Sequence, residues 1–304
     1  MPGPGCWLGL LTGKRSCFHG FSSYTLLLMS RATLLLRACA ALATAAAAVA
    51  TARWLAARQL RRSVQALFAG STDVTGQTYH EAQLVGLPAP VQRYFRRVLP
   101  NGQRYLRGVR LRHTGQFKPD LRQSWSAIEG EEYLVADPPG FIWQGTTCWF
   151  TARDSYVRGH GHLGVRLLGA VPILCGAGPT YDQGELLRWL GESTWLPTAL
   201  LPSRQVQWSA VDEDSACLSL THGSQTVHYL VRFNARHEIA QCETERYQGE
   251  TRLLPWIGRF SHYRKMLGVR VPMQLEALWV QDGRQCPYAR FTVQELEYAP
   301  LAPY

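Results

Sequence analysis

Two hydrophobic periods follow one another along this chain, one of 3.6 residues and one of 2. Residues 32–52 read ATLLLRACAALATAAAAVATA, with Arg37 the one charge. A bilayer span needs ~20 apolar residues, and a basic residue near one end can snorkel to the headgroups. Ten of the fifteen residues 38–52 are alanine, so the apolar character is modest. The helical pattern then runs on through RWLAARQLRRSVQALFA without Pro or Gly. Leu60, Val64, Leu67 and Phe68 recur there at i, i+4, i+7 and i+8, which is one helix face. Residues 29–69 therefore predict a hydrophobic, then amphipathic helix acting as a retained single-pass anchor. A cleaved signal peptide is the alternative, since Ala48-Val49-Ala50 and Ala50-Thr51-Ala52 both fit small-x-small cleavage. An acid-free, Arg-containing transit peptide is a third reading. Met29 begins such a segment well, so residues 1–28 read as an upstream extension.

Residues 70–304 predict an antiparallel β-rich domain. It opens with a helix at 87–100, LPAPVQRYFRRVLP, where Pro90 suits the first turn and Val91, Tyr94, Phe95, Val98 and Leu99 share a face. From 108 the period changes to 2. GVRLRHTGQF sets Val109, Leu111 and His113 against Arg110, Arg112 and Thr114, a half-buried strand. Strands are expected at 121–128, 131–135, 141–148, 150–158 and 162–168. A short helix is expected at 182–190, with Asp182 and Glu185 as a capping box.

The stretch 205–247 gives four strands joined by DEDS, GS and NARH, connections short enough to require an antiparallel meander. A last hairpin pairs 269–280 with 285–298. Its first strand sets Val269, Val271, Met273, Leu275, Ala277 and Trp279 on one face. These must meet either the 91–99 helix as solid core or a cavity. About eleven strands and no β-α alternation exclude a parallel sheet. The expected fold is mainly β (α+β): a large curved antiparallel sheet or half-barrel with a few packed helices and an N-terminal hydrophobic helix. Eight of the ten Trp lie beyond residue 70 and predict an aromatic interior.

Charge narrows the partners. The net charge is +10, yet residues 1–72 hold eight basic side chains and no acidic one, which leaves the remaining residues at +2. A nucleic-acid-binding domain carries its positive charge on itself, so nucleic acid is excluded as a partner. Arg53, Arg58, Arg61 and Arg62 follow the apolar run, and by the positive-inside count favour a cytoplasmic C-terminal side. An export signal would place the domain outside. The side of the membrane stays open, with a lean to the extracytoplasmic one. The eight Cys show no CxxC spacing, and those of the folded part read mainly as buried apolar thiols, with one disulfide as the alternative.

Candidate chemistry is sparse. Gly159-His160-Gly161-His162-Leu163-Gly164 matches GxGxxG but opens no helix, so a dinucleotide site is rejected. His160 and His162 share a strand face and Asp154 precedes them. They form the one local cluster worth testing for a hydrolase-like reaction, although two ligands do not make a zinc site. HExxH, GxSxG and the P-loop are absent. No cofactor, metal or catalytic residue is assigned.

GLPAPVQRYFRRVLP, PPGFIWQG, DSYVRGHGHLGVRLLGAVPI, GELLRWLGESTWLPTALLPS and GVRVPMQLEALW, in that order, resemble an uncharacterised and mainly bacterial family of membrane-anchored proteins. The likeness covers about residues 85–299 and implies an N-terminal transmembrane helix, but no reaction. The layout also looks like the half-barrel of the Lol lipoprotein carriers, which implies an aromatic cavity for acyl chains. Together these point to a cell-envelope membrane protein binding a lipid or acyl chain on the concave face of the sheet. Trp143, Trp208, Tyr229, Phe233, Val271, Met273, Leu275 and Trp279 are the candidate ligand-binding residues. An enzyme at Asp154, His160 and His162 and a structural envelope protein without ligand are the alternatives. The bilayer is the expected partner.

Overall fold

The computed structural model describes residues 31–304, and the expected upstream extension lies outside them. Two compact units meet at Ala46 and Ala47. The first, where described, is the start of helix α1 (Arg31–Ala69), with Leu34, Leu35, Leu36 and Leu42 exposed. Among the described residues α1 is the one helix long and apolar enough to cross a membrane.

The second unit is built on one thirteen-stranded sheet with every neighbouring pair antiparallel. Six strands make the first meander: β1 (Gly108–Phe117), β2 (Ser126–Val135), β3 (Gly140–Thr146), β4 (Phe150–Val157), β5 (His160–Leu167) and β6 (Val171–Ala177). Before them lies α2 (Ala89–Val98), and after them α3 (Pro179–Glu192). The chain resumes at the opposite edge with β7 (Val206–Ala210), β8 (Ser215–His222), β9 (Gln225–Phe233), β10 (Ile239–Gln248) and β11 (Arg252–Ser261). A small separate hairpin, β12 (Arg264–Met266) and β13 (Val269–Val271), precedes β14 (Gln274–Gln281) and β15 (Arg284–Glu297). The sheet order is β6-β5-β4-β3-β2-β1-β15-β14-β11-β10-β9-β8-β7, so the first and last strands pair at its centre. The expected curved antiparallel half-barrel with packed helices is the fold observed.

Alternation gives this sheet two differently occupied faces. On the convex side, Tyr133, Val135 and Ile142 receive Leu60, Val64, Leu67 and Phe68, the α1 face read from the sequence. On the concave side, Leu134, Phe141 and Trp143 join the main core with α2 and α3. α3 crosses this face from one edge meander toward the other, contacting β4 and β5 as well as β9 and β10.

Four local expectations change. Residues 126–135 are a single strand, paired with β1 along its whole length, and before it Asp120 accepts the Arg122 amide at 2.9 Å in a turn. β6 and β11 carry Pro172 and Pro255, which hid them. Pro172 sits beside a bulge in the edge strand, and Pro255 lies beyond the last residue of β11 that pairs with β14. Proline is tolerated at both because no ladder bond needs its missing N–H. The expected strand 269–280 is broken at Pro272, whose carbonyl accepts the Trp195 indole at 2.9 Å. Finally, α3 starts at Pro179 rather than at Asp182, and the Asp182 carboxylate accepts the Gly161 amide at 2.6 Å instead of capping the helix. The glycines of GHGHLG serve this contact: Gly159 has φ +85°, and a side chain at Gly161 would strike the Tyr181 carbonyl.

Candidate functional site

Between the concave face and α3 lies a cavity of about 480 Å³. Trp143, Ala152, Trp256, Leu275, Ala277 and Phe291 supply apolar wall from both meanders. α3 closes the end near its own residues, since its Trp189 indole donates to Val135 O, where β2 finishes, at 2.9 Å. Phe117, Phe150, Ile173 and Leu174 surround the other end.

The wall also holds charge. On α3, Glu185, Arg188 and Glu192 stand at i, i+3 and i+7 and so project toward one side. Arg188 Nη1 donates to Asp154 Oδ2 at 2.6 Å, and Nε donates to both Glu192 oxygens at 3.0 Å. Its Nη2 approaches Glu132 at 3.7 Å, and the guanidinium lies 4.7 Å from the Trp143 ring centre. Arg246 of β10 pairs with Glu185 at 3.5 Å. Burial works against the charge on Arg188, but the surrounding carboxylates outweigh it and hold its pKa well above normal. Four carboxyls face two guanidiniums, so not all are balanced. Burial, reinforced by Glu192, pushes Glu132 well up. Burial also raises Asp154 against the pull of Arg188 and Arg246, and raises Glu185 to about 8 with the help of Asp154. At about 8, the Glu185 carboxyl is the one placed to carry a proton near neutral pH. Asp154 Oδ1, which belongs to a cavity-lining residue, has no hydrogen-bond partner among the described residues.

Next to the cavity, the Trp143 indole donates to His113 Nε2 at 2.8 Å. An indole only donates, so that nitrogen is unprotonated. Burial pushes the His113 pKa down to about 3, and the neutral ring stacks on Phe291 at 4.2 Å between centres.

The structure spreads the residues singled out in the sequence. Trp143 and Leu275 line the cavity. Trp208 and Phe233 pack on Phe95 and Tyr94 of α2, and Tyr229 lies beneath α3 with its hydroxyl donating to Leu187 O at 3.1 Å. Val271 and Met273 are buried core residues, and Trp279 stacks on Tyr288, itself a wall residue. Asp154 pairs across the sheet with Leu163, whereas His162 pairs with Ser155, so Asp154 and the two histidines occupy opposite faces. His160 is exposed, 3.8 Å from Asp182. Among the described residues no group of three or more His, Cys, Asp or Glu could hold a metal. The described cysteines are unpaired. Cys242 alone is buried, while Cys148 and Cys175 are exposed, which corrects the expectation of buried thiols. The charged cluster was missed because its members span 115 positions. Its local trace is the Glu185, Arg188, Glu192 stripe among Leu186, Leu187, Trp189 and Leu190.

A curved antiparallel sheet with an apolar cavity and charged wall defines the class of domain. The chain belongs to a family of unknown function, DUF6544, whose model matches residues 77–291. Among solved structures it is similar to a LolA superfamily protein from Nitrosomonas europaea, at 11% identity and TM-score 0.39, covering 69% of this chain and 91% of that one. It is also similar to a domain assigned to outer membrane lipoprotein sorting from Vibrio parahaemolyticus, at 11% identity and TM-score 0.37, covering 68% and 90%. No curated protein is significantly similar in sequence.

Proposed function

We propose that this protein is a membrane-tethered binder of an apolar ligand, a lipid or acyl chain, held in the concave cavity. One observation carries the reading: a space of about 480 Å³ lies against the core of the domain and has aromatic and aliphatic walls. That volume falls within the ~300–1,000 Å³ of small-molecule sites, which are lined in this way with a few placed polar groups. Arg188, Asp154, Glu192 and Arg246 are those groups here. They would meet the polar end of an amphiphile, with Asp154 Oδ1 free to take part. The apolar helix supplies the tether, and Trp143 and Leu275 contact the chain of the ligand directly. Trp279 and Tyr229 brace the wall residues Tyr288 and Trp256, while Trp208, Phe233, Val271 and Met273 belong to the buried core around them.

Native mass spectrometry of the full chain, extracted from membranes in mild detergent, tests this. Bound lipid is expected in the wild type and much less in Ala277→Trp, which fills the cavity. A wild-type protein without any bound lipid would remove the basis for the reading.

A further inference from the structure

The antiparallel register fixes two rims for the half-barrel. One carries the turns 147–149 and 168–170 together with the ends of β1 and β10. The opposite rim carries the turns after β4 and β7. Residues 70–304 expose ten large hydrophobic side chains, and six of them are Trp149, Leu167, Leu168, Val171, Ile173 and Leu174, on the first rim and the adjoining strand β6. Scattered apolar side chains are normal on a protein surface, but a contiguous patch marks an interaction site.

Two further observations identify what the patch meets. Helix α1 runs along the convex face with Phe68 against Gly108 and Leu67 against Gly140, at the opposite rim, and with the Arg53 side chain against Gly169 at the first rim. Arg53 is also the first charge after the uncharged stretch 38–52. The apolar patch therefore stands at the level where the chain passes from apolar to charged, and the residue after Arg53 is exposed Trp54, a residue suited to the headgroup layer. The groove between α1 and β3–β5 opens alongside. It is lined by Arg153, Arg158 and Arg166 and by no Asp or Glu, which matches anionic headgroups. Ile173 and Leu174 belong both to this patch and to the cavity lining.

We propose that this rim docks into the membrane interface, with the 147–149 and 168–170 turns among the headgroups, so that the cavity opens onto the bilayer. The docking rests on the exposed rim itself. The consequence that an apolar ligand moves between cavity and bilayer without crossing water rests on the function proposed above.

The test places the full chain in vesicles of phosphatidylethanolamine and phosphatidylglycerol containing a phospholipid with a diazirine in its upper acyl chain. After irradiation, adducts are mapped by mass spectrometry. Trp149, Leu167 and Leu168 do not line the cavity, so adducts there report the bilayer, whereas adducts at Leu163 and Val165 report a lipid inside. Yields at the three rim residues should be several-fold above those at Val211 and Leu267, which are exposed on the opposite rim. They should fall to that level in a Trp149→Glu, Leu168→Glu variant, whose changes touch exposed side chains only. Adducts confined to α1, or to α1 and the cavity walls, would overturn the docking. The second of those patterns would leave ligand binding standing, and rim adducts with an empty cavity would do the reverse.

Discussion

Arg188 and Asp154 meet at 2.6 Å between α3 and β4, with both side chains mostly buried. The bond ties the crossing helix to the first meander, while Arg246 and Glu185 tie the same helix to the second. Removing one partner of a buried pair leaves the other charge unpaired, at about 3–5 kcal/mol. Arg188→Leu should cost that much in urea unfolding. Replacing Asp154 and Glu192 by Leu in the same chain should recover most of it, because apolar substitution of a whole buried cluster is often neutral. A triple variant no more stable than Arg188→Leu would show that packing of the arginine stem, not its charge, is what matters.

Two of the perturbed groups, His113 and Glu185, are shifted in opposite directions. His113 has a folded pKa of about 3 against an ordinary 6.5, so the unfolded chain binds the extra proton as pH falls below 6.5. Its contribution is complete above 6.5 and is lost toward 3, with a slope of up to about 1.4 kcal/mol per pH unit. Glu185 has a folded pKa of about 8 against 4.5, so stability falls as pH rises through that window. Glu185→Gln should remove that downward slope between about 4.5 and 8 and leave the profile below 4.5 unchanged. Unfolding free energies across this range check it, and parallel profiles for wild type and variant would contradict it.

Gly130 faces His113 across β1 and β2, and a side chain there would occupy the space of the imidazole. Gly130→Ala should push the ring off Phe291, break the bond from Trp143 and destabilise by about 1–3 kcal/mol, the usual cost of overpacking. The indole N–H resonance of Trp143 would move, and an unchanged spectrum would count against the contact.

Trp208 and Trp279 separate core from cavity support. Trp208 is packed by Phe95 and Phe233, and its indole donates to Leu200 O at 2.9 Å. Truncating it should cost about 3–5 kcal/mol and leave the lipid content per folded molecule unchanged. Trp279 braces Tyr288, so Trp279→Ala should lower stability and bound lipid together. Equal lipid loading of folded wild type and Trp279→Ala would disconnect that pair from the cavity.

The anchor prediction needs only fractionation and N-terminal sequencing. The chain is expected in the membrane fraction with residues 32–52 attached, and a soluble product beginning near Thr51 or Arg53 would refute it.

What the sequence reveals follows from how local each signal is. The 205–247 meander was legible because tight turns and strict alternation specify antiparallel neighbours without knowledge of the rest of the chain. The buried faces of α1 and α2 were legible for the same reason. β6 and β11 were not, since a proline looks like a strand breaker until one knows which side of the strand lacks a partner. The cavity was anticipated as an aromatic interior, but its walls draw on residues from Phe117 to Phe291. Of the eight residues chosen by face, Trp143 and Leu275 line it, because alternation tells the inner face from the outer and not the filled end from the open one.

The pairing of β1 with β15 has a consequence during synthesis. A ribosome delivers β1 long before β15, yet they are neighbours at the centre of the sheet. Until the final strand emerges, the nascent chain holds two separate meanders, each with an unpaired inner border open to wrong partners. Only when β15 has been made can this half-barrel close its seam.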